Sequence, residues 1–149
     1  MKTKLNKALK QKNRLVGELN RIKSLIQREN SRKEADYNEE KIQDLFLQFS
    51  VLTNELIDLK TAIQRATAPI ADKLLRLAEI KGQVDFYQSL ETTNGTFERS
   101  LSYGSDKVKT ETYCAYYDQN AVDNKLAEIQ KEINDLQDEI DDYNAITTI

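Results

Sequence analysis

Apolar residues recur along this chain at alternating three- and four-residue intervals, four separate times. Leu5, Ala8, Lys12, Leu15, Leu19, Ile22 and Ile26 form the first series. That spacing places all seven on one seam of a helix expected over 3–29. Lys12 is its polar member, and its stem can lie along the seam while the ammonium reaches water. Leu9, Val16 and Leu25 widen the seam to a face. The second series, Ile42, Leu45, Phe49, Leu52, Leu56, Leu59 and Ile63, predicts a helix over 38–65, with Phe46, Leu47, Val51 and Ile57 as an added apolar flank. This pattern marks the most buried helix of the four. Asp36 with Glu39 has capping-box spacing, and Asn38 is a rival cap.

The stretch Ala66-Thr67-Ala68-Pro69 reads as a stop, because proline disfavours helix at the residue before it and suits the first turn of a new helix. A third helix is expected over 69–90, faced by Ile70, Leu74, Leu77, Ile80, Val84 and Tyr87. From Thr92 to Tyr117 the composition turns to Thr, Ser, Tyr and Gly. The turn signals Asn94-Gly95 and Gly104-Ser105-Asp106 bracket two segments, Phe97 to Tyr103 and Val108 to Tyr117, rich in strand-favouring residues. They predict a β-hairpin over 96–117 turning at Gly104. A two-stranded hairpin is marginal alone and needs support from the helices or another subunit. Asp118 or Asn120 then caps a last helix over 119–144, with Val122, Leu126, Ile129, Ile133, Leu136, Ile140 and Tyr143 on its seam. Each helix has one stripe that it cannot bury alone. The expected fold is a single, mainly α domain: an antiparallel bundle of four long, coiled-coil-like helices with a β-hairpin before the last.

Composition narrows the chemistry. The 149 residues include no His and one Cys. Imidazole-based triads and metal sites are therefore excluded, as are an intrachain disulfide and a thiolate zinc cage. No apolar run approaches the ~20 residues of a membrane span, and the polar start does not read as a signal peptide, so a cytoplasmic protein is expected. No Gly-rich phosphate loop is present, and no cofactor is implied. Charge is segregated: residues 1–33 carry 11 basic against two acidic side chains, and residues 118–149 carry two basic against nine acidic. Opposite charges flanking apolar seams favour pairing of the first and last helices. The basic residues are scattered around the first helix with few aromatics, which argues against nucleic acid as a partner.

Two groups of residues could carry function. Glu128, Glu132, Asp135, Glu139 and Asp142 line one stripe of the last helix. Paired carboxylates at such spacing hold Mg²⁺ in all-α nucleotide pyrophosphohydrolases, and Glu39 and Glu40 could face Glu132, Asp135, Glu139 and Asp142 as the second acidic pair. The simpler reading is a solvated acidic flank. The second group is an interaction surface: Phe46, Leu47 and Val51 on the second helix, with Tyr103, Tyr113, Tyr116 and Tyr117 around the hairpin. Cys114 lacks an activating neighbour and reads as a small apolar residue on a strand.

The opening Lys4-Leu5-Asn6-Lys7-Ala8-Leu9, the Ile63-Gln64-Arg65-Ala66-Thr67 stretch and the passage through Ala121-Val122-Asp123 to Thr147-Thr148 resemble a family of small bacterial proteins labelled septicolysin or left without a function. The resemblance implies a helical, oligomeric protein and brings no catalytic residues. Its label hints at a cytolysin, although the sequence has no apolar hairpin suited to a lipid-facing barrel. The leading expectation is a non-enzymatic scaffold or interaction protein acting as a homo-oligomer. The Mg²⁺-dependent hydrolase is the alternative and the cytolysin a weaker one.

Overall fold

The computed structural model describes residues 2–101, 103–104 and 106–149. The chain is mainly helical, with a two-stranded antiparallel hairpin before its last helix. The helices are α1 (Leu5–Glu29), α2 (Glu39–Thr67), α3 (Ala71–Gln88) and α4 (Gln119–Ile146), and the strands are β1 (Gly95–Ser100) and β2 (Val108–Tyr113). Short 3-10 turns occupy Glu34–Asp36 and Ala68–Ile70. The chain divides into two compact units, Met1–Ala71 with Ile140–Ile149, and Asp72–Glu139.

In the first unit α1 and α2 run antiparallel. Ile22 at the far end of α1 packs with Ile42 and Leu45 at the start of α2, among Leu25, Ile26, Phe49 and Leu52. Leu5 and Ala8 pack with Ile63 near the end of α2, among Leu9, Leu59, Ala66, Tyr143 and Ile149. These are the seam positions, and the 3-4 spacing puts them inside because it returns each side chain to one line of the helix. Asn38, not Asp36, caps α2: its side chain accepts the Lys41 amide at 3.0 Å. Asp36 instead ends the preceding 3-10 turn.

The first amide of α1 is satisfied from the other end of the chain. Leu5 donates its backbone amide to Thr147 at 2.8 Å, and Ile149 donates to Thr3 at 2.9 Å, with a bridge between Lys4 and Thr148. In return the Lys4 ammonium donates to the Ala145 carbonyl in the last turn of α4 at 2.9 Å. A cation there meets both an orphan carbonyl and the negative end of the helix dipole.

The expected stop before Pro69 is milder than the sequence suggests. Thr67 and Ala68 keep right-handed helical dihedrals, Ala68 despite preceding proline, and Pro69 lies within the 3-10 turn that leads into α3. At the first turn of a helix a missing amide costs nothing, so proline here changes the winding without ending it.

In the second unit α3 and α4 are also antiparallel. Lys73 pairs with Glu139 and Arg76 with Glu132, so rising numbers on α3 meet falling numbers on α4. Leu77, Ile80, Val122 and Ile129 are buried. Leu74, expected on the buried face, is more than a third exposed, and Leu75 and Phe86 are more open still. Asp118 caps α4 by accepting the Ala121 amide at 2.8 Å. The hairpin pairs Gly95 with Tyr113 through to Ser100 with Val108. β1 begins at Gly95, before the expected Phe97, and ends at Ser100, β2 ends at Tyr113 rather than Tyr117, and Gly104 takes the left-handed φ of 75° that a tight turn asks of glycine. Ser102 and Ser105, which fall in the expected strand end and turn, lie outside the described residues.

Candidate interaction surface

α2 carries its apolar residues on more than one side. Its seam is buried or half-buried, but the added flank is not: Phe46, Leu47, Val51 and Ile57 are each about half exposed or more. α1 covers the seam side of α2 and leaves this flank open. Phe46 walls an open groove with Phe49 against Lys23, Ile26 and Gln27 of α1. Leu47 and Val51 wall a second with Gln48 and Leu52 against Glu18. Both grooves belong to the α1–α2 hairpin. A helix apolar beyond its single seam ordinarily meets more than one neighbour.

The aromatic residues around the β-hairpin divide into two groups. Tyr117 packs on Tyr87 of α3, with ring centroids 5.5 Å apart, and Tyr87 in turn meets Phe86 at 5.3 Å. This group anchors the base of the hairpin on its own helices, supported by Asn94, whose side chain accepts the Ala115 amide at 3.2 Å. Tyr103 is fully exposed and Tyr116 nearly so. On the sheet itself Phe97 and Tyr113 are cross-strand neighbours 6.2 Å apart, and both are about half exposed. The Tyr113 hydroxyl donates to Glu111 at 2.9 Å, which holds its proton more tightly than an ordinary phenol, with the Glu111 charge adding to the effect. Every residue of β1 and β2 except Gly95 and Glu111 is exposed, so neither face of the sheet is covered.

The carboxylates named from sequence are placed as follows. Glu132 and Glu139 lie on one face of α4 and are engaged by Arg76 and Lys73. The Glu139 hydrogen bond raises the pKa of Lys73. Asp135 and Asp142 are exposed on the same helix, and Glu39 and Glu40 are exposed in the first turn of α2. Among the described residues no three carboxylate or thiol side chains gather as a cation site. Cys114 is exposed.

Sequence reasoning missed Glu29, the buried acid at the end of α1. Arg28 donates to it at 3.1 Å, Lys41 lies at 3.4 Å and Arg32 at 4.0 Å. The Arg28 hydrogen bond, followed by the Lys41 and Arg32 charges, lowers its pKa below the ordinary carboxylate value against the opposing effect of burial. Glu29 thus gathers cations from α1, the loop after it and α2. Arg28, Arg32 and Lys41 lie on separate segments, so no spacing along the sequence brings them to one acid.

No family model, curated protein or solved structure matches this chain.

Proposed function

We propose that this protein is a non-enzymatic helical scaffold that works as a homo-oligomer, its α2 flank and Tyr-rich hairpin serving as contact surfaces. One observation carries the reading: Phe46, Leu47, Val51 and Ile57 remain open on α2 beside a seam that is already closed by α1. Apolar groups of this size gain about 25 cal/mol for each Å² removed from water, which favours covering them. In this reading the four helical seams close within and between chains, and the compartment is the cytoplasm. The resemblance to the septicolysin-labelled family fits the same picture of a helical, oligomeric protein.

Sedimentation velocity across micromolar concentrations tests it. The wild type is expected to associate, and Leu47→Glu with Val51→Glu is expected to shift it toward monomer without changing its helical circular dichroism. These side chains are exposed, so the substitutions leave the core intact. A wild type that stays monomeric throughout would overturn the proposal.

A further inference from the structure

Among the described residues the sheet has two strands, so the outer edge of each strand has no neighbour within the sheet. The register decides which groups that edge presents. Leu101 donates its amide to the Lys107 carbonyl, which makes 101 and 107 a hydrogen-bonded pair. In an antiparallel ladder such pairs alternate with non-hydrogen-bonded ones. Arg99 with Lys109, Phe97 with Glu111 and Gly95 with Tyr113 are therefore hydrogen-bonded pairs, with the β2 backbone groups turned toward β1. Val108, Thr110 and Thr112 turn theirs to the open edge.

We propose that this edge pairs with the same edge of a second copy, antiparallel and centred on Thr110. The inference rests on the homo-oligomeric reading and specifies one contact within it. Only registers that oppose outward-facing residues can form the ladder, which leaves three central choices. Opposing Val108 to the second copy's Thr110 sets Lys109 against Lys109. Opposing Thr110 to the second copy's Thr112 sets Glu111 against Glu111. Opposing Thr110 to itself sets each Lys109 against the other copy's Glu111, in the closer, non-hydrogen-bonded positions. Charge selects this last register, and two-fold symmetry makes the ion pair twice. Within one hairpin Lys109 sits opposite Arg99, a like-charge pair that disfavours the isolated sheet. Its own-strand neighbour Glu111 is 3.9 Å away. A second copy brings a further carboxylate to this cationic patch and covers an edge that proteins rarely leave bare.

Charge reversal tests the register. Sedimentation velocity is run in reductant, because Cys114 is exposed, on wild type, Lys109→Glu, Glu111→Lys and the double reversal. Each single reversal is expected to weaken association by roughly tenfold or more, and the double to restore it. Lys109→Glu gains an opposite-charge neighbour in Arg99 of its own hairpin and loses one in Glu111, and recovery in the double reversal separates weaker association from a damaged fold. Amide exchange gives a second readout: the Thr110 amide is expected to slow as concentration rises. Single reversals that leave association unchanged, a double reversal no better than either single, or Thr110 exchange independent of concentration while the wild type associates would each overturn β2 pairing and leave the oligomeric scaffold standing. A monomeric wild type overturns both.

Discussion

The Tyr143 hydroxyl donates to the Ala66 carbonyl at 2.8 Å, three residues before Pro69. A 3-10 turn would pair that carbonyl with the amide of residue 69, which proline lacks. A side chain from α4 thus donates to a carbonyl whose i+3 backbone donor is missing. Tyr143→Phe is expected to cost about 1 kcal/mol and lower Tm by roughly 2–4 °C, since it removes one hydrogen bond to a half-buried carbonyl. Pro69→Ala returns an amide, so the loss on Tyr143→Phe is expected to be smaller in that background. A double-mutant cycle by thermal unfolding measures the coupling, and strictly additive losses would show that Pro69 and Tyr143 do not share the Ala66 carbonyl.

Leu56 and Ile22 are both buried in seams of the first unit. Truncating either to Ala is expected to destabilise the protein by about 2–5 kcal/mol, as lost burial and a residual cavity add together. Leu47→Ala, on the open flank of α2, is expected to change monomer stability by less than about 0.5 kcal/mol. Urea titration separates the two classes, and equal losses would mean that Leu47 is covered within one chain.

Glu29 links stability to pH with a defined sign. Its pKa is lowered on folding, so its contribution is complete above the unfolded carboxylate value, about 4.3, and fades as pH falls through the folded value. Glu29→Gln is therefore expected to melt below wild type at neutral pH. The gap is expected to close on acidification below that range. Melting curves between neutral pH and pH 3 decide this, and a gap that is independent of pH would deny Glu29 its ionic role.

Glu132 and Glu139 already have cationic partners. Mg²⁺ or Mn²⁺, with or without a nucleoside triphosphate, is expected to leave Tm unchanged. A bound ligand at ~100 times its Kd would add about 2.7 kcal/mol to folding, well within reach of a thermal-shift assay. A rise that needs both metal and nucleotide would make these carboxylates ligands and revive the hydrolase reading.

The seams were readable because a 3-4 spacing is a property of one helix alone. Leu5, Ala8, Ile22, Ile42, Ile63, Val122, Ile129 and Ile140 all sit inside where the spacing placed them. Partnership was less readable. The stripe through Glu132 and Glu139 follows from periodicity, whereas Lys73 and Arg76 become its partners only when α3 lies along α4. The exposure of Phe46 and Leu47 depends on how much of α2 its neighbours cover, which no periodicity states. Pro69 was read too strongly because a local preference against helix at Ala68 yields to the continuity of the turns on either side. Glu29 was missed because its partners come from three separate segments.

The bridge between Lys4 and Thr148 has a kinetic consequence. The first unit is discontinuous in sequence: it begins with α1 and α2, and it is completed by Ile140–Ile149 only after the whole of Asp72–Glu139 has intervened. During vectorial synthesis α1 and α2 can zip together early through local contacts, but the Leu5 amide must wait for Thr147 to leave the ribosome. Closing so long a loop is slow and entropically costly relative to pairing neighbouring helices. The strap is thus the last part of the first unit to lock, a latch on a hairpin that has already formed.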